Sequence, residues 1–195
     1  MNCITNIAIF ASGSGTNAEA IIKYFQNQDS IKVQCILSNK EDAFVHQRAK
    51  NLKIPSFSFT KNEMTENGKV SEILESLNID YIILAGYMLL IPEWIIKRFN
   101  NRIINIHPAL LPKYGGKGMY GSRVHHAVIE AGEHESGITI HLVNNEYDKG
   151  EILFQKKCNI LLGETPDSLA VKIHQLEHEY YPKIIEQYIV HNNKG

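Results

Sequence analysis

Four short, almost unbroken apolar runs constrain the fold of this chain more than anything else in it: residues 7–11, 33–37, 81–85 and 102–106. A strand with one face in water alternates polar and apolar side chains. Continuous hydrophobicity instead requires burial on both faces, the condition of a parallel sheet covered by helices. Helical patterns separate the runs, at 16–25, 42–52 and 70–77, and a fourth at 92–99 opens with Pro92, where a missing N–H is harmless. Strand and helix in alternation predict an open, doubly wound α/β sheet.

The second half changes character. Residues 137–143 (GITIHLV) read as an alternating strand, and 151–160 as its antiparallel partner across the turn 144–150. Residues 166–190 read as one long amphipathic helix capped by Thr165, with Pro182 expected to kink or split it. No linker, repeat or low-complexity tract interrupts the 195 residues, so a single domain, 1–195, is expected.

With 20 basic and 21 acidic side chains the formal net charge is −1, which gives no nucleic-acid footprint. An anionic ligand must therefore be held by a local device. Cys3, Cys35 and Cys158 have no paired spacing; they read as small buried hydrophobes in a reducing, cytoplasmic setting rather than as a disulfide or zinc set. No signal peptide and no apolar run of membrane-spanning length is present in the sequence.

One such local device follows the first strand: Ser12-Gly13-Ser14-Gly15-Thr16-Asn17, opening a helix. Glycines let the backbone approach a ligand closely. The first-turn N–H groups, with the positive end of the helix dipole behind them, suit a phosphate. The motif is neither a dinucleotide fingerprint nor a P-loop, and a plain strand-to-helix turn would look the same.

The second constellation is Asn105 and His107, two apart at the carboxyl end of the fourth run, where parallel sheets bind ligands. An amide and a protonated imidazole can both donate to a carbonyl oxygen as negative charge develops. Pro108, Leu111 and Pro112 would stiffen the exit loop. Imidazole has a reference pKa of about 6.5, so a charged His107 calls for an acid nearby. The loop 144–150 offers Asp148, with Glu146 as a rival, and the residues alone leave that choice open.

Other residues point less clearly. His125 and His126 fall in a helical stretch, one packed and one exposed. His174, Glu177 and His178 form an HxxEH pattern with no third ligand in evidence, so no metal is expected. Residues 87–91 (YMLLI) either line an apolar pocket or belong to the core.

Taken together, SGSGTN at 12–17, LSNKEDAF at 37–44, LAGYM at 84–88, NIHPALLPKY at 105–114, YDKG at 147–150 and EHEYYP at 177–182 resemble one family along nearly the whole chain. It is the glycinamide ribonucleotide transformylase family, folate-dependent formyltransferases of de novo purine synthesis. The resemblance implies a Rossmann-like open, mostly parallel twisted sheet with flanking helices and an antiparallel C-terminal extension. It implies transfer of the formyl group of 10-formyltetrahydrofolate, as co-substrate and without a metal, to the amine of 5'-phosphoribosylglycinamide. Carried over by motif, Asn105, His107 and Asp148 would be catalytic, and Gly15, Thr16, Asn17 and Glu177 would hold the ribonucleotide. Met88, Leu89, Leu90, Ile91, Asn105, Asn144, Asn145, Glu146, Tyr147 and Asp148 would surround the folate. The expected partners are these small molecules, with no nucleic acid and no membrane, and the chain working as monomer or homodimer.

Two departures stand out. Many members carry arginine where this chain has Leu89, and residues 114–121 follow a longer, glycine-rich form of a loop able to move on binding. The related methionyl-tRNA formyltransferases add a C-terminal tRNA-binding domain, and formyltetrahydrofolate hydrolases an N-terminal regulatory one. A chain whose first strand starts near residue 6 and which stops at Gly195 without basic surplus is expected to be neither. A nucleotide-binding module that used only the glycine-rich turn would leave the Asn–His pair unexplained.

Overall fold

The computed structural model describes residues 4–193; Cys3, expected to be a buried hydrophobe, lies outside them. Seven strands hydrogen-bond in the order β3-β2-β1-β4-β5-β6-β7: β1 Thr5–Phe10, β2 Ile31–Ser38, β3 Ser56–Ser58, β4 Tyr81–Leu84, β5 Ile103–His107, β6 Glu135–Leu142 and β7 Ile152–Asn159. The sheet is open and mostly parallel, and the four apolar runs are β1, β2, β4 and β5. The helices are α1 Thr16–Phe25, α2 Val45–Asn51, α3 Lys69–Ser76, α4 Glu93–Arg98, α5 Ser122–Glu130 and α6 Pro166–Asn192. The chain divides into two compact units, Met1–Ile104 and Asn105–Gly195.

In the first unit β1 pairs in parallel with β2 and β4, and β2 with β3. Ile7 to Phe10, Ile36, Leu37, Ile82 and Ile83 are wholly buried, which is why these runs carry no polar face. Helix α1 turns Ala18, Ile21, Ile22 and Phe25 inward at helical spacing. Helix α2 starts later than its sequence pattern, at Val45 rather than residue 42. Val45 gives its N–H to the carbonyl of Gly13 at 3.1 Å, and Ala43 bonds back to Lys40, so 40–44 is spent in turns.

In the second unit β6 and β7 form the expected antiparallel pair, with Glu135 opposite Asn159 and Thr139 opposite Gln155. The alternation expected of 137–143 is not found: β6 is buried from Ser136 to Leu142. From Ser136 onward its polar side chains do not face water. Thr139 and His141 are each satisfied by specific buried partners, described below. Helix α6 begins as expected, with Thr165 Oγ1 accepting the N–H of Ser168 at 3.2 Å and the Thr165 N–H returned to Ser168 Oγ. Leu169, Ile173, Glu177, Tyr181, Pro182, Ile185 and Ile189 are buried along it. Pro182 does not split the helix, which runs to Asn192. An interior proline costs about 3 kcal/mol, and the buried Tyr181, Ile185 and Ile189 on either side of the lost hydrogen bond offset it.

Candidate active site

In the second unit, β5 delivers Asn105, half-buried, and His107, buried, at its carboxyl end. The exit loop that follows is fastened by one buried hydroxyl. Thr139 Oγ1 donates to the Ala109 carbonyl at 2.6 Å and accepts from the Leu111 N–H at 3.0 Å and the Gln155 amide at 2.9 Å. The stiffness that sequence assigned to prolines is thus also the work of β6, the neighbouring strand in the sheet.

Asp148 comes from the β6–β7 connection. That loop begins with an Asx turn, Asn144 Oδ1 accepting the Glu146 N–H at 2.9 Å. It closes tightly at Gly150, where a Cβ would lie 1.7 Å from the Leu142 carbonyl oxygen. Asp148 itself holds a left-handed backbone, φ 54°, a conformation that costs an L-residue of this type energy and so must be held in place by its contacts. Of the two acids open at the sequence level, Asp148 is the one brought to His107. Glu146 is exposed and paired with Lys149.

The Asp148 carboxylate is bracketed by two imidazoles. Oδ2 lies 3.6 Å from His107 Nδ1 and accepts the N–H of Gly116 at 2.8 Å, while Oδ1 lies 3.6 Å from His141 Nε2. His141 Nε2 in turn meets Asn105 Nδ2 at 3.1 Å. Asn105 is therefore linked to Asp148, which faces His107 directly, through His141, a residue that sequence reasoning passed over. The signal was there: a histidine near the end of an apolar strand, in GITIHLV, read as one half of an alternation.

The electrostatics correct one expectation. Asp148 was expected to raise the pKa of His107 and keep it charged. Burial of the ring lowers its pKa by more than the Asp148 charge and the Tyr114 carbonyl raise it, and His141 lowers it further, so the net direction is down. His107 Nε2 lies 2.7 Å from the carbonyl oxygen of Tyr114, a group that only accepts, so Nε2 carries a hydrogen. Asp148 behaves oppositely. Burial raises its pKa, but the neighbouring His141 and His107 rings and the Gly116 N–H outweigh that, and the carboxyl is held below its ordinary value.

Glu177 is buried in α6. Tyr181, one turn on, has its hydroxyl pKa driven well up, by burial first and by the Glu177 charge second. His125 is buried and His126 exposed on α5. His174 and His178 stack with ring centroids 6.3 Å apart. No group of three His, Cys, Asp or Glu able to hold a metal occurs among the described residues. In the 144–148 segment Asn144, Asn145, Glu146 and Tyr147 are exposed.

The first unit carries the glycine-rich turn. Gly15 stands at the α1 N-cap with φ 75° and no side chain capping the first turn. A Cβ there would meet Val45 Cγ2 at 2.4 Å, so only glycine lets α2 close behind the turn. Arg48 on α2 donates to the Ser14 carbonyl at 2.8 Å and pairs with Glu19 of α1. Ser12, fully buried, ties this turn to the segment after β4. Its Oγ donates to Asn39 Oδ1 at 2.6 Å and accepts the Met88 N–H at 3.1 Å, and its own N–H reaches the Gly86 carbonyl. Met88, Leu89 and Leu90 expose their side chains, whereas Ile91 is core. Tyr87 belongs with Phe10 and Phe59 in an aromatic cluster. Among the described residues no helix is long and apolar enough to cross a membrane.

Residues 5–185 match the family model described as formyl transferase. Similar proteins include the chloroplastic phosphoribosylglycinamide formyltransferase of Arabidopsis thaliana, 38% identical over 92% of this chain. This chain spans 63% of that protein's length. The phosphoribosylglycinamide formyltransferase of Haemophilus influenzae is 37% identical over 92% of this chain and 85% of its own. Among solved structures, the phosphoribosylglycinamide formyltransferase of Bacillus halodurans superposes with a TM-score of 0.84 at 34% identity, covering 94% of each chain.

Proposed function

Because the chain belongs to the formyl transferase family, we propose that it moves the formyl group of 10-formyltetrahydrofolate to the amine of 5'-phosphoribosylglycinamide, the formylation of de novo purine biosynthesis. The reaction exchanges one C–N bond for another. The amine nitrogen bonds to the formyl carbon, the folate N10 leaves, and one proton passes from the amine to N10. Between these events the formyl oxygen carries negative charge.

The observation that supports this chemistry is the cluster Asn105–His141–Asp148–His107, with steps of 3.1, 3.6 and 3.6 Å. Asn105 Nδ2 and the Nε2–H of His107 are the donors for the developing oxyanion. A neutral ring can make that hydrogen bond. As charge grows on the oxygen the ring gains proton affinity and takes up at Nδ1 the proton relayed from the attacking amine; ionised Asp148, facing Nδ1, stabilises that cation until the proton passes on to N10. Asp148 is also the relay, accepting the proton shed by the amine through water.

The ribonucleotide phosphate sits at the α1 N-terminus on Gly15, Thr16 and Asn17, and Glu177 holds the sugar end. Folate-binding roles follow from the family motifs for Met88, Leu89, Leu90 and Ile91 in the first unit and, in the second, for Asn105 and the loop Asn144, Asn145, Glu146, Tyr147 and Asp148. Residues 1–195 act as one catalytic domain in the cytoplasm, as monomer or homodimer, with no nucleic acid or membrane partner.

Tetrahydrofolate release, followed with and without the ribonucleotide, tests this function. Release only when the amine is supplied supports transfer; release at the same rate without it makes the protein a hydrolase.

A further inference from the structure

No step of the chemistry above is assigned to His141, yet its hydrogen bonds decide more than its own position. It is 2% exposed on β6. Nδ1 lies 2.8 Å from the Leu142 carbonyl oxygen, which can only accept, so Nδ1 carries the hydrogen. In a neutral imidazole that leaves Nε2 as a bare acceptor. The group facing it at 3.1 Å is the side-chain amide of Asn105.

An asparagine amide has two flips, almost equal in shape and opposite in hydrogen-bond character. An acceptor at His141 Nε2 admits one of them: Nδ2 toward the ring, Oδ1 away. In the other flip two lone pairs would face each other inside a buried cluster, a costly arrangement. Nδ2 has two hydrogens, so one is held by His141 and the second stays available in a fixed direction. The competing state is equally defined. An imidazolium would carry hydrogen on Nε2, 3.6 Å from Asp148 Oδ1, and would draw Asn105 round to present its oxygen.

We propose that His141 is a positioning residue that selects the amide orientation of Asn105, so that Asn105 meets the formyl oxygen with an N–H and not with an oxygen. This rests on the donor role given to Asn105 above. His141 touches neither substrate in this account; its effect passes through one hydrogen bond.

The test is a double-mutant cycle with a spectroscopic check. His141→Leu lowers kcat by roughly three- to tenfold, the worth of one neutral hydrogen bond, with both KM values little changed. His141→Gln, whose Oε1 can accept the same N–H, recovers most of that loss. In an Asn105→Ala background His141→Leu costs nothing further, because the partner it acts through is gone. An equal loss in both backgrounds overturns the proposal and leaves the donor role of Asn105 intact. Wild-type turnover in Asn105→Ala alone overturns that donor role and the proposal with it. In the unmutated protein, ¹⁵N NMR of His141 is expected to show hydrogen on Nδ1 and a bare Nε2; the opposite tautomer, or an imidazolium at neutral pH, overturns the proposal without any variant having to fold.

Discussion

His107 gives its Nε2–H to the backbone carbonyl of Tyr114, 2.7 Å away, and Tyr114 holds that carbonyl in place with a left-handed backbone, φ 57°. The nitrogen assigned to the formyl oxygen is therefore already engaged. Either the substrate oxygen displaces the carbonyl or the hydrogen is never delivered. The first outcome requires the segment at 114–121 to shift when folate binds. The carbonyl carbon resonance of Tyr114 should move when a folate analogue without a transferable formyl group is added. A resonance unchanged at saturating analogue would mean that the Tyr114 bond survives binding.

Asp148 raises the pKa of His107 against a larger lowering by burial. Asp148→Asn keeps the shape and removes the charge, leaving burial unopposed. An NMR titration of His107 should thus give a midpoint below the ordinary value of about 6.5 in the parent, and a lower one in Asp148→Asn. Turnover should fall on the order of 10²-fold, since the ring loses the counter-charge for its cationic form. A midpoint that rises in the variant would contradict the assignment.

Much of this arrangement could be read from the residues, and the reason the rest could not is physical. Unbroken apolar runs signal burial on both faces, so β1, β2, β4 and β5 were visible, and with them the strand end that carries Asn105 and His107. The same argument applied to GITIHLV misled. Thr139 and His141 look like a solvent face because they are polar, yet both are buried and bonded to Ala109, Leu111, Asn105 and Leu142. Polarity in a strand marks water or a buried partner, and only the fold tells them apart. The Asp148–His107 contact joins positions 41 apart through a non-glycine residue at positive φ, which no periodicity announces.

The glycine-rich turn gives a prediction of the opposite kind, local and steric. In Gly15→Ala the new methyl would meet Val45 at 2.4 Å, at a φ of 75° that alanine adopts poorly. Strain of about 1–3 kcal/mol is expected to displace the first-turn N–H groups. The KM for the ribonucleotide should rise by about tenfold or more, and the KM for the folate by much less. Equal changes in both would remove the phosphate role from this turn.

Acid stability depends on another histidine. His125 is 3% exposed on α5, and its pKa is pushed down to about 4, by burial first and then by His174, His126 and His107. Above pH 6.5 it is neutral folded or unfolded and contributes no pH dependence. Between 6.5 and about 4 the unfolded chain binds a proton that the folded one refuses, so stability falls with pH, by up to roughly 3 kcal/mol. Urea midpoints at pH 7.5 and 4.5 should converge in His125→Leu relative to the parent. The same pH loss in both proteins would place the acid sensitivity elsewhere.

The most direct measurement is steady-state turnover of His107→Ala, with circular dichroism and the urea midpoint confirming that the variant folds. If the second unit's cluster carries out formyl transfer, kcat falls by ~10²–10³ while both KM values stay close to those of the parent. Near-parental turnover in a folded His107→Ala protein would contradict the account at its centre.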